Sequence, residues 1–270
     1  MCELMALSFS NPVRASISLH VFQENGMENP DGWGVAYYQD NSMQLIKEAS
    51  PASDSKLYDF VERSAFSKVY ISHLRRSTEG IRSYLNTHPF YRIVNMMGKR
   101  FEYVFAHNGT VNDYHKLSLS EYAPLGETDS EHVFCHLLEM FSNMCGSSWT
   151  EAEYQQLEEL MQTINSPENT INCILSDGTR LFCYSDRYDH NSGLRYSEYE
   201  TAIKLKDQRK VLGEIRVRTT GNSKETVGVK GVLVTTRAMD EGNWFEFSPG
   251  ELAVFKDGDV VYASSRISNL

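Results

Sequence analysis

Met1-Cys2-Glu3-Leu4-Met5-Ala6-Leu7-Ser8-Phe9 (MCELMALSF) puts a cysteine directly behind the initiator methionine. Three readings compete. The cysteine is a processed residue with no role, a lipid-anchor cysteine, or a nucleophile whose own α-amine is freed when Met1 is removed. Cysteine is small enough that removal of the preceding methionine is expected. The third reading would join a thiol and a base in one residue. An α-amine has a reference pKa of roughly 7.7–8.0, suited to proton transfer at neutral pH, whereas a free thiol is mostly protonated there.

Composition narrows the choice. The 270 residues are 41% hydrophobic, which suits a soluble chain with a substantial core. Asp and Glu outnumber Lys and Arg by 36 to 26, a net charge of -10. An acidic surface argues against nonspecific binding to nucleic acid or anionic membrane. No apolar stretch approaches the length of a membrane span, and no basic start leads into an apolar run. Without a signal sequence the lipid-anchor reading of Cys2 falls. The five cysteines at 2, 135, 145, 173 and 183 are odd in number and form no C-x-x-C, which fits a reduced, cytoplasmic chain.

Strand signals dominate. Gly34 to Tyr38 and Met43 to Lys47 flank a turn-rich Q-D-N-S, and Thr170 to Leu175 and Thr179 to Tyr184 flank Ser176-Asp177-Gly178. Both pairs read as hairpins. Lys68 to Leu74, Phe101 to Ala106, Gly231 to Thr235, Glu251 to Phe255 and Val260 to Ala263 read as further strands. Helices are expected over Leu57 to Phe66, after the capping pattern Thr128-Asp129-Ser130-Glu131, and after Thr150-Glu151-Ala152-Glu153. Hairpins with a block of helices favour antiparallel sheets packed by helices, an α+β fold. One domain is expected over 2–270, with a polar, poorly periodic excursion at about 186–229.

Several motifs could carry chemistry. Arg75 and Arg76 follow an apolar strand; a guanidinium there can grip a carboxylate with two parallel bonds, and Thr78 could add a hydroxyl. The alternative is a surface arginine pair on a turn. Ala106-His107-Asn108-Gly109-Thr110 makes a tight turn and can also aim an amide and an unhindered N–H at one point, as an oxyanion hole does. Asp129 either serves the helix cap or binds a substrate ammonium group. Asp31-Gly32-Trp33-Gly34 reads as a constrained turn that could line a pocket. His132 and His136 flank Cys135, but no H-E-x-x-H pattern accompanies them, so no metal site and no cofactor are expected. Together a nucleophile with its own base, a carboxylate clamp, an oxyanion pair and an ammonium-binding acid describe a substrate like glutamine.

The sequence resembles the class II glutamine amidotransferases, the N-terminal-nucleophile (Ntn) hydrolases with an N-terminal cysteine, and in particular their stand-alone YafJ-like subfamily. Met1 to Leu4, Asp31 to Gly34, His73 to Thr78, Asn86 to Phe90, Ala106 to Gly109 and Thr128 to Glu131 carry the resemblance, with Thr235 to Arg237 and Trp244 to Leu252 later in the chain. Arg76, where members with a synthase domain carry an aromatic, fits the stand-alone group. The resemblance implies a four-layer αββα sandwich with two antiparallel sheets and Cys2 at a strand start. It implies that Cys2 attacks the γ-amide of glutamine, that Asn108 and Gly109 hold the oxyanion, and that Arg75, Thr78 and Asp129 bind the amino-acid head. Ammonia would pass to a separate acceptor subunit or to none. A larger γ-glutamyl amide or peptide is the alternative substrate. A non-catalytic regulatory subunit is the alternative of another class.

Overall fold

Strand β1 (Glu3–Arg14) begins one residue after Cys2 and lies inside its sheet, hydrogen-bonded on both sides. The computed structural model describes residues 2–40, 42–77, 80–96, 98–144, 149–191, 193–204, 210–212, 215–217 and 226–267. Helix α1 (Ser16–Glu24) follows β1, then the hairpin β2 (Gly32–Gln39) and β3 (Ser42–Glu48), helix α2 (Lys56–Ser64) and β4 (Ser67–Arg75). Next come β5 (Phe90–Met96), β6 (Lys99–Thr110), helices α3 (Asp129–Met144) and α4 (Glu151–Ile164), and the hairpin β7 (Thr170–Ser176) and β8 (Arg180–Tyr184). The remainder is β9 (Arg195–Lys204), β10 (Lys210–Leu212), β11 (Ile215–Val217), β12 (Thr226–Thr235), β13 (Phe245–Glu246), β14 (Leu252–Lys256), β15 (Asp259–Ala263) and a short α5 (Ser264–Ile267).

Among the described residues the strands form two antiparallel sheets. One runs β13-β9-β12-β1-β4-β2-β3, with β10 and β11 attached through β1; the other runs β15-β14-β8-β7-β6-β5. Side-chain alternation along β1 explains the layering. Leu4 and Ala6 point between the sheets, onto Val104 and Ala106 of β6 and Ile174 of β7. Met5, Leu7 and Phe9 point the other way, onto Leu19 and Phe22 of α1 and Tyr58 and Val61 of α2. The second sheet repeats the pattern, with Tyr103 and Phe105 packed on Phe134, Leu138, Leu157 and Met161 of α3 and α4. The result is the four-layer αββα sandwich. Because both faces of β1 and β6 are covered, their sequences read as continuous apolar runs rather than alternating ones.

Both expected hairpins form, in register Gly34↔Lys47 and Ser176↔Leu181. The expected caps form too: Glu131 N–H donates to Thr128 Oγ1 at 3.2 Å, and Thr150 with Glu153 makes a reciprocal box. The stretch at about 186–229, read as a polar, poorly periodic excursion, contains strand β9 in its described part. Strands β9 and β12 pair there over ten positions, from Arg195↔Thr235 to Lys204↔Thr226. The alternation was hidden because Tyr196 packs between the sheets while Tyr199 packs on the opposite face against the Phe9 cluster.

Candidate active site

The residues singled out in the sequence collect at one end of the sandwich. Cys2 precedes β1, Arg75 ends β4, Gly32 begins β2 beside it, Asn108 and Gly109 lie near the end of β6, and Asp129 opens α3. The parity that sends Leu4 and Ala6 between the sheets sends Cys2 there too. The same parity along β4, shared with Val69 and Ile71, aims His73 and Arg75 at that space.

Cys2 Sγ sits 3.1 Å from the Arg76 carbonyl, to which it donates, and accepts the Arg76 N–H at 3.2 Å. Burial pushes the Cys2 thiol up, against the lowering effects of the Arg76 amide and the Arg75 charge. A standing thiolate is therefore not provided; the thiol needs a base beside it. Arg75 is only 2% exposed. Its guanidinium donates to the Gly80 carbonyl at 3.3 Å and the Ile81 carbonyl at 3.5 Å, both long bonds. The backbone around it is tied by Asp31, whose N–H donates to the Arg75 carbonyl at 3.0 Å and whose Oδ2 accepts the Ser77 N–H at 2.8 Å. Thr78 lies outside the described residues.

Asp129 is buried; its Oδ2 accepts the Val111 N–H at 2.6 Å, and its Oδ1 lies 3.2 Å from Ser130 Oγ. Behind it His107 bridges Ser130 Oγ, 2.9 Å from Nδ1, and the Thr170 carbonyl, 3.0 Å from Nε2. A carbonyl only accepts, so Nε2 carries the proton. Burial lowers the His107 pKa and keeps the ring neutral. Gly109 follows, and no side chain fits there: a Cβ would stand 1.9 Å from the Thr170 carbonyl oxygen.

Cys2, Arg75, Gly109 and Asp129 line one cleft, together with Ser77, His88 and His107. It encloses about 20 Å³, room for one water. Asn108 does not line this cleft; it is buried on the inter-sheet face of β6, opposite Asn172 of β7. The sequence reading assigned no role to His88, His107 or Ser77, and placed Asp31 only in a turn that could line a pocket. His88 and Asp31 stood in motifs already noted, but their contacts come from strands far apart in the chain. A larger cleft of about 680 Å³ opens at the opposite ends of the strands, lined by Tyr38, Lys68, Arg100 and Asp177. Three of its charged groups are paired, Lys68 with Asp257, Arg100 with Glu102 and Asp177 with Arg180.

Residues 1–269 match the family described as glutamine amidotransferases class-II. An uncharacterized protein of Methanocaldococcus jannaschii is 33% identical over 276 residues, covering all of this chain and 73% of its own. The putative glutamine amidotransferase YafJ of Escherichia coli is 27% identical, covering 97% of this chain and all of its own. The crystal structure of a predicted glutamine amidotransferase from Pseudomonas aeruginosa shares the fold, with a TM-score of 0.63 and 22% identity over 97% of this chain and all of that one. The chain belongs to the class II glutamine amidotransferases.

Proposed function

We propose that this class II glutamine amidotransferase hydrolyses the γ-amide of glutamine through a γ-glutamyl thioester on Cys2 and releases ammonia. The observation that carries the reading is the single cleft shared by the Cys2 thiol, the Arg75 guanidinium and the Asp129 carboxylate. Removal of Met1 frees the Cys2 α-amine, which takes the thiol proton as Sγ attacks the γ-carbonyl. The Asn108 amide and the Gly109 N–H stabilise the oxyanion. Arg75 and Thr78 hold the α-carboxylate, and Asp129 the α-ammonium. Ammonia departs with the proton, and water resolves the thioester. The cleft is smaller than an amino acid, so the rim at Arg76 and Ser77 moves aside on binding. Arg75 then exchanges its long bonds to Gly80 and Ile81 for the substrate carboxylate.

The ammonia passes to a separate acceptor subunit or to water. No helix among the described residues is long and apolar enough to cross a membrane; the reading places the enzyme in the cytoplasm, acting on small γ-glutamyl compounds. A second reading, a larger γ-glutamyl amide or peptide, is favoured by the exposed apolar side chain of Ile81, whose carbonyl accepts from Arg75 of the cleft.

Intact mass before and after treatment with 6-diazo-5-oxo-norleucine tests the proposal. A chain lacking Met1 that gains one adduct on Cys2, with no adduct in Cys2→Ala, supports it. A processed chain that neither reacts nor hydrolyses glutamine or γ-glutamyl peptides overturns it. Relative rates on glutamine and on the peptides separate the two substrates.

A further inference from the structure

His88 is 5% exposed, and neither of its ring nitrogens meets a donor or an acceptor among the described residues. Buried polar groups are almost always satisfied. One that is not, and that faces a cleft, marks a place where the cleft receives a polar guest. The His88 ring lines the same cleft as the Cys2 thiol and Gly109. It packs against the His73 ring, at 4.2 Å between centroids, and the Phe90 ring, at 4.4 Å. Its backbone is held as well. Lys47 donates to the neighbouring Thr87 carbonyl at 2.7 Å, and Gly34 lies directly against the His88 carbonyl. Burial and the nearby His73, His107 and Arg75 keep the His88 ring neutral, so one nitrogen always offers a bare lone pair.

We propose that His88 orients the water that hydrolyses the γ-glutamyl thioester. The proposal rests on the function proposed above. The cleft has room for one water beside Cys2, and His88 is the unsatisfied acceptor in its wall. In the step, the water oxygen bonds to the γ-carbon as the carbon–sulfur bond breaks. One water proton passes through the Cys2 α-amine to Sγ and restores the thiol. The other leaves with the product carboxyl group. His88 accepts a hydrogen bond from the water throughout and keeps no proton.

The test separates water from another nucleophile. The processed full-length chain receives glutamine with and without hydroxylamine. Glutamate release, γ-glutamyl hydroxamate and acid-quenched intact mass are recorded. His88→Phe keeps a ring between His73 and Phe90 and removes both nitrogens. It is expected to lose hydrolysis about 100-fold, as misplacement of a reacting group does, while hydroxamate forms near the wild-type rate and the acyl-enzyme accumulates on Cys2. His88→Gln keeps an acceptor oxygen and is expected to recover part of the hydrolysis. Loss of hydrolysis and hydroxamate together, with no acyl-enzyme, overturns the proposal. So does an unchanged ratio of hydrolysis to hydroxamate in whichever of the two variants folds. Absence of both acyl-enzyme and hydroxamate in the wild type overturns the glutaminase reading itself, before any variant is made.

Discussion

Gly34 lies directly beneath His88: a Cβ on Gly34 would stand 2.2 Å from the His88 carbonyl oxygen and 2.8 Å from Pro89 Cδ. No backbone angle at Gly34 demands glycine; the close approach does. Gly34→Ala is therefore expected to push the Asn86–Pro89 segment off β2, costing about 1–3 kcal/mol as overpacking does. Urea unfolding and glutaminase assays check this together. Unchanged stability with unchanged kcat would show that the segment has another seat.

Gly109 sets a second steric limit. Gly109→Ala forces the new methyl into the Thr170 carbonyl and the His107 ring. The β6 end must lift from β7, carrying Asn108 out of position. Glutamine turnover is expected to fall about 100-fold, with a smaller loss in thermal stability than for a core cavity. Wild-type kcat in a folded Gly109→Ala would remove this strand end from the chemistry.

Arg75→Lys keeps the charge and loses the planar fork. If Arg75 grips the substrate carboxylate, KM for glutamine rises about 10–100-fold, the equivalent of roughly 1.4–2.8 kcal/mol. Turnover at saturation changes less. Steady-state kinetics decide, and an unchanged KM would leave Arg75 a structural role, including its ties to Gly80 and Ile81.

The buried histidines predict an acid-side loss of stability. Burial, reinforced by Arg75, lowers His73 to about 3, and His88 and His107 move in the same direction. A base whose pKa is depressed on folding binds fewer protons folded than unfolded. Its contribution is intact above the unfolded value of about 6.5 and drains away as pH falls toward 3, by up to about 1.4 kcal/mol per pH unit for each group. Buried Glu3, raised by its own desolvation, works in the opposite sense. Glu139, which accepts three backbone N–H groups and the Ser120 hydroxyl and is held at about 2 despite burial, weakens only below its ordinary range. Urea midpoints at pH 7, 6 and 5 should fall steadily. A flat profile there would contradict neutral burial of the three rings.

What the sequence made legible was local. Turn chemistry gave the β2–β3 and β7–β8 hairpins, and capping residues gave α3 and α4. Helix α1 escaped because its N-cap is Ala15 with no side-chain cap; it stands by packing Leu19 and Phe22 on the sheet. Strand β9 escaped because its tyrosines fall on opposite faces. The motifs named Cys2, Arg75, Gly109 and Asp129, and the fold gathers them. His88 stayed silent because Phe90 alone of its neighbours is near in the chain; His73 and the Gly34 backbone come from the paired strands β4 and β2.

The strand that follows Cys2 has a late neighbour. Thr236 Oγ1 accepts the Leu4 N–H at 3.1 Å, and the Leu4 carbonyl accepts both Thr235 Oγ1–H and the Thr236 N–H. Those contacts join the second residue past Cys2 to positions 231 and 232 residues downstream. During synthesis, β4 is available early to pair one side of β1, while β12 emerges long after it. Until β12 is made, a ribosome-bound chain carries Cys2 beside an open edge of β1. A chain stopped short of Thr235 keeps the Cys2 thiol but lacks the strand that seats β1 on its second side.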